Sequence, residues 1–162
     1  MAYHMIKKDM EIIDFSVLEE IILKNRIAVL GLCCDNIPYV VTLSYGYDKN
    51  DKLLYFHCAK QGQKINYLRE NSNVCLTIID DPGNAEDECG HSFRSVVIKG
   101  EMLFVEDEEE MIKGIKVMLG HFEKNPERIM KKIDEKSKTW LNTQMLKIKV
   151  NDITGKERNI QK

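Results

Sequence analysis

The chain has 162 residues, of which 43% are hydrophobic and 31% charged, with a formal net charge of −2 and a pI near 6.1. That length and apolar fraction exclude a disordered chain and suit one domain, expected to span residues 1–162 with 1–10 and 156–162 as flexible ends. No basic run exceeds two residues, no apolar segment reaches membrane-spanning length and no signal peptide is evident; these exclude a nucleic-acid footprint and lead us to expect a cytoplasmic protein.

In chain order, Ser16-Val17-Leu18-Glu19 reads as a capping box opening a helix whose apolar face is Leu18, Ile21 and Ile22. Ile27–Cys34 is a β-rich run. Asp35-Asn36 turns it into a second strand, Tyr39–Tyr47, with Pro38 at its start where a missing N–H is tolerated. A turn over Asp48–Asp51 leads to a third strand, Leu53–Cys58. Such short connections require an antiparallel meander. Gln63–Glu70 follows as a helix of about two turns with Ile65 and Leu68 on one face, and Val74–Ile79 returns to strand.

Residues 80–92 are polar and turn-rich, which reads as a surface loop. β-character resumes over Phe93–Val105, where Gly100 marks a bulge or a close backbone approach. The acidic run Glu106–Glu110 precedes a helical pattern of Met111, Ile115, Met118, Leu119 and Phe122. It therefore suits a helix N-terminus and needs no bound ligand. A second short helix is expected from Pro126, following Asn125 and using Ile129 and Ile133. Met145–Val150 forms the last strand, with Lys147 and Lys149 facing outward, and the polar tail after Gly155 is expected to fray. About six strands with flanking helices make a small, mainly β protein, a β-barrel with α-decoration whose edges must be closed or paired.

The five cysteines are Cys33, Cys34, Cys58, Cys75 and Cys89. Their odd number argues against a disulfide framework, and the first four, set in apolar runs, are expected as small buried hydrophobes. Cys89 and His91 lack a second ligand pair at metal-binding spacing, so no metal is expected. Dinucleotide, Walker and zinc-protease fingerprints are absent. Cys58 beside His57 makes no catalytic dyad, because neighbours on a strand point to opposite faces.

The stretch Tyr55-Phe56-His57-Cys58-Ala59-Lys60-Gln61-Gly62-Gln63-Lys64 carries more. A strand ends beside a tight Gly62 turn, and Lys64 falls in the first turn of the next helix. Free N–H groups at such a terminus, joined by an ammonium, make a competent anion site for any phosphate; the plainer reading of the same residues is a solvated lysine on an ordinary helix beside a half-buried histidine.

The run PYVVTLSYGYDKNDKLLYFHCAKQGQKINYLRENSNVCLTI, with HSFRSVVIKGEM and LKIKVNDITGKERN further on, resembles the pyridoxamine 5'-phosphate oxidase-like FMN-binding split barrels, and among them the nitroimidazole-resistance branch. The likeness runs from about Ile27 to Lys156. It implies a six-stranded antiparallel split β-barrel that forms a homodimer with FMN at the subunit interface. Carried over residue by residue, it implies that Val41, Thr42, Leu43 and Ser44 line the flavin ring. His57, Cys58 and Ala59 would lie at the strand end beside the ribityl chain and phosphate, and Lys64 would grip the phosphate. Ser95, preceded by Arg94, would approach the ring from the neighbouring subunit. The chain departs from the oxidases at Gly62-Gln63-Lys64, where they carry Ser-Arg-Lys; a bidentate phosphate donor is therefore missing. Their substrate-binding arginines after a tryptophan are not evident either, and Trp140 reads as a buried anchor.

The resemblance thus implies an FMN-dependent oxidoreductase, recharged by NAD(P)H or another donor and reducing a small organic acceptor such as a nitroaromatic or nitroimidazole. No catalytic side chain is nominated, because the flavin carries the redox chemistry. The alternative, from another class, is a non-enzymatic flavin- or haem-binding storage, carrier or sensor protein.

Overall fold

The alternating apolar runs become one antiparallel sheet of seven strands: β1 (Glu11–Ile12), β2 (Ile27–Cys34), β3 (Ile37–Asp48), β4 (Leu53–Ala59), β5 (Asn73–Asn84), β6 (His91–Val105) and β7 (Thr143–Arg158). Among the described residues four α-helices accompany them: α1 (Phe15–Lys24), α2 (Gln63–Glu70), α3 (Glu108–Phe122) and α4 (Pro126–Asp134). The computed structural model describes residues 5–84, 91–134 and 143–158.

The strand order is β1-β7-β4-β3-β2-β5-β6, and β6 pairs again with β7, so six of the strands return on themselves as a ring of pairings. The expected mainly β, six-stranded split barrel is therefore corrected to a mixed α/β fold built on a seven-stranded sheet. The extra strand, β1, spans only two residues, too few to show any alternation in sequence. It docks on the far end of β7, Glu11 opposite Lys156 and Ile12 opposite Gly155. That requires β7 to run on to Arg158, beyond the point where its polar composition suggested fraying, and β6 holds it there through Phe93 opposite Arg158.

Leu30, Phe56, Ile78, Val96, Leu146 and Ile148 point inward and are fully buried. Burying side chains of this size stabilises by about 1.5–3 kcal/mol each relative to exposure. α1 closes one end of the ring with Leu18, Ile21 and Ile22, and the Tyr45 hydroxyl donates to the Ile22 carbonyl at 2.6 Å. β2 starts beside this helix and ends at the other mouth, where the Asn71 side-chain amide, just past α2, donates to the Cys33 carbonyl at 2.9 Å. There α2 inserts Leu68, and Tyr67 packs on Tyr39 with ring centroids 5.4 Å apart.

α3 lies instead on the outer face, over Tyr55 and Met145, where Ile115, Met118 and Leu119 make a second apolar cluster. It comes so close that a Cβ on Gly46 would stand 2.5 Å from the Met118 Cα. No helix among the described residues is long and apolar enough to cross a membrane.

Several local expectations hold. Asp107 caps α3 by accepting from the Glu110 N–H at 2.8 Å, so the acidic run is a helix start. At α4 the Asn125 side chain accepts from the Arg128 N–H at 3.3 Å, with Pro126 at the first helical position. Gly100 is both a register irregularity and a close approach, since a Cβ there would meet the Lys149 carbonyl oxygen at 2.2 Å.

Others are corrected. The cap of α1 is Asp14, which accepts from the Ser16 N–H at 2.9 Å, so Ser16 is already inside the helix. The segment read as an 80–92 loop is largely hairpin: β5 continues to Asn84 and β6 begins at His91, with residues 85–90 outside the described part. Cross-strand charge pairing overrides its polar composition, Arg94 lying opposite Asp80 and the His91 ring 2.8 Å from Asp81. Finally, Cys33 and Cys75 are exposed and Cys34 and Cys58 only half-buried, because the strand alternation turns Cys33 and Cys75 outward. Cys89 and Trp140 lie outside the described residues.

Candidate functional site

β3 and β4 pair only from Tyr45–Phe56 to Asp48–Leu53. Before Tyr45, β3 bonds β2 alone, and after Phe56, β4 bonds β7 alone. The two strands thus part company at Ser44 and His57 and leave a notch on the outer face. Alternation decides what lines it. Thr42, Ser44, His57 and Ala59 are exposed on the outer side, whereas Val41, Leu43 and Cys58 are half-buried and pack against the core.

α2 begins where β4 stops. Gly62 precedes it with φ 121°, in the left-handed region that a side chain would resist, and no side chain caps the helix. Its carbonyl accepts from the N–H groups of Ile65 and Asn66, leaving those of Gln63 and Lys64 outside the helical ladder.

The Lys64 ammonium is close enough to act on both His57 and Cys58. Although the side chain keeps an exposed edge, the covered part of the ring is the larger cause holding the His57 imidazole below its ordinary value, and Lys64 adds to it, which favours the neutral ring at pH 7. Burial pushes the Cys58 thiol up, and Lys64 only partly opposes this, which keeps the sulfur protonated rather than nucleophilic. Among the described residues Lys64 has no carboxylate partner. One cation, a neutral ring and free amides at a helix start suit a dianion such as a phosphate ester.

Arg94 and Ser95 stand elsewhere and on opposite faces. The Arg94 guanidinium donates to Asp80 at 2.6 Å and to Glu20 at 2.9 Å, and Lys24 also bonds Asp80, so this arginine belongs to the α1 end. Ser95 pairs with Ile79 and faces outward. Continuing the β2–β5 register two residues past its last pair, Val29–Thr77, sets Ile79 against Ile27, which lies opposite Ser44. Ser95 is therefore three strand spacings from Ser44, roughly 14 Å. Between them lie Ile27, 56% exposed, and Ile79, 52% exposed. Sequence reasoning missed this apolar strip, which forms only when β2 and β5 are set side by side. No group of three or more metal-ligating side chains occurs among the described residues.

Comparison with known proteins gives concordant results. The pyridoxamine 5'-phosphate oxidase family matches residues 16–157. Among solved structures, a candidate 5-nitroimidazole antibiotic resistance protein from Bacteroides thetaiotaomicron superposes with a TM-score of 0.72 at 26% identity, covering 96% of both chains. A FAD- and heme-binding protein from Mycobacterium smegmatis superposes with a TM-score of 0.75 at 14% identity, over 93% of this chain and 74% of that one, a likeness of fold. An uncharacterized protein of Rhizobium meliloti, RA0666, is 31% identical over 80 residues, which are 49% of this chain and 47% of that protein. The match thus spans about half the length of that curated relative.

Proposed function

Because the chain belongs to the pyridoxamine 5'-phosphate oxidase family, we propose that it binds a flavin in the notch between β3 and β4 and serves as a flavin-dependent reductase of a small organic acceptor, with a nitroaromatic as the leading class. The observation that carries this is Lys64: a cation without a carboxylate partner among the described residues, set beside free amides at the start of α2 and next to a neutral His57. FMN is the preferred ligand, since a terminal phosphate matches one ammonium and two amides.

In this reading Lys64 and the Gln63 and Lys64 N–H groups hold the phosphate. His57, uncharged, exchanges a hydrogen bond with phosphate or ribityl oxygens at little desolvation cost. Thr42 and Ser44 offer hydroxyls to the ring, while Val41, Leu43, Cys58 and Ala59 contribute backbone and wall. When bound, the isoalloxazine supplies the electron transfer, accepting from NAD(P)H or another donor and passing electrons on. The protein's part is to orient it, bury one face and neutralise its phosphate.

A homodimer completes the site. With the ring at Ser44, Ser95 stands roughly 14 Å away across the sheet and would serve the partner's site. The exposed Ile27–Ile79 strip would supply the apolar contact between subunits. Arg94 would act indirectly, by anchoring β6 to Asp80.

The test is the absorption spectrum of the purified protein, followed by titration with FMN and FAD separately. Flavin bands, bleaching by NADH or NADPH and reoxidation by a nitroimidazole are expected. A protein that takes up neither flavin overturns the binding site; one that binds flavin but is never reoxidised by organic acceptors is a carrier or sensor.

A further inference from the structure

Away from the notch, the outer face carries two exposed thiols. β2 and β5 pair over Val29–Thr77, Leu30–Leu76 and Gly31–Cys75, and the pairing stops there. Cys33 lies two residues beyond Gly31 on the same outward side, making it the diagonal neighbour of Cys75. Where the strands cease to pair they border a cavity of about 520 Å³, lined by Cys33 and Cys75 together with Gly31, Asn73 and Lys99. Gly31 puts no side chain between the two sulfurs. A Cβ there would touch the Cys75 carbonyl at 3.2 Å. The Asn71 amide fixes the Cys33 backbone through its carbonyl, and Lys99 lies directly opposite Cys75 on β6.

We propose that Cys33 and Cys75 form a two-thiolate site for a soft monovalent d10 metal ion, for which Cu(I) is the natural occupant. Diagonal cross-strand neighbours are roughly 7–8 Å apart, beyond the usual Cα separation of a disulfide at about 4.4–6.8 Å. A direct S–S bond is thus disfavoured. An ion bonded to each sulfur at roughly 2.3 Å separates them by up to about 4.6 Å, a span open to two side chains on one face of the sheet with only Gly31 beside them. Zn(II) wants four ligands, and no third His, Cys, Asp or Glu joins this pair among the described residues. A soft monovalent ion is satisfied by two thiolates. The complex would carry one negative charge, which the Lys99 ammonium, opposite Cys75 and 3.9 Å from the Asp152 carboxylate, would offset in part.

The experiment is an anaerobic titration of the full chain with Cu(I), competed against a Cu(I)-specific chelator and read by thiolate-to-copper charge-transfer absorption. One ion per chain is expected, with affinity at least tenfold lower in Cys33→Ser and in Cys75→Ser and unchanged in Cys34→Ser, whose sulfur lies in the opposite register. Zn(II) should not compete. Absence of uptake, affinity unmoved by Cys33→Ser and Cys75→Ser, equal loss in Cys34→Ser, or equal affinity for Zn(II) would each overturn the site. Circular dichroism of each variant separates loss of the site from loss of the fold. None of these outcomes depends on flavin binding.

Discussion

The two mouths of the ring use charge in opposite ways. At the α1 end, Asp80 is buried and bonded by both Lys24 and Arg94, and Arg94 also reaches Glu20. Each of these four charges has a partner, and the network holds the helix to the β5–β6 hairpin. At the α2 end, Lys64 has neighbours but no acid among the described residues, and one of those neighbours is a histidine that stays neutral. Cations consumed in structure position a fold; cations left without a counter-charge are available to a ligand.

Substitutions should separate the two ends, and the largest effect belongs to the satisfied one. Asp80→Ala leaves Lys24 and Arg94 without their buried acceptor and is expected to cost about 3 kcal/mol in urea unfolding, while flavin affinity of the folded protein stays unchanged. A loss of flavin binding at full stability would reverse the assignment of the two ends. Next in size, Lys64→Ala should weaken FMN binding by about 2 kcal/mol, roughly thirtyfold in Kd, with almost no change in the unfolding midpoint.

Acid should act mainly through the α1 end. Burial opposes ionisation of Asp80, but hydrogen bonds from Lys24 and Arg94 outweigh it and hold the carboxyl below its ordinary 3.8. A carboxyl depressed in the folded state stabilises fully above its unfolded pKa and loses that contribution as pH falls through the folded one. Stability should therefore drop below about pH 4, and Asp80→Asn should make the drop shallower. The smallest signal lies at the α2 end: the His57 pKa, followed by NMR, should rise when FMN or inorganic phosphate binds, because a dianion offsets Lys64. A His57 titration indifferent to both would place the anion elsewhere.

Sedimentation offers a further check on the proposed dimer. Ile27→Asp places a charge in the exposed apolar strip and should shift the protein towards monomer and weaken flavin binding together. If only the oligomeric state changes, the flavin site is complete within one chain.

Local chemistry was legible in the residues themselves. The Gly62 turn, the α2 span Gln63–Glu70, the acidic start of α3, the Pro126 helix and the special role of Gly100 each follow from a side chain or backbone restriction acting over a few residues. The placement of Lys64 at the start of α2 beside the end of β4 was legible for the same reason, since strand end, glycine and helix start are contiguous. Cys33 and Cys75 were misread because an apolar run looks buried until one knows which face of the sheet is covered.

Long-range pairing had no such signature. β1 is too short to alternate, and its existence depends on an edge of β7 more than 140 residues away. The extension of β5 to Asn84 depends on β6 supplying Arg94 and His91 across the hairpin. The parting of β3 and β4 at Ser44 and His57 likewise leaves no mark in either segment, because beyond that point β3 follows β2 while β4 follows β7 on its other edge. Periodicity, capping and turn chemistry are set by neighbours in the chain, so the sequence by itself determined them; the closed ring, the notch and the division between partnered and unpartnered cations came from backbone hydrogen bonds and charges that only the tertiary structure brings together.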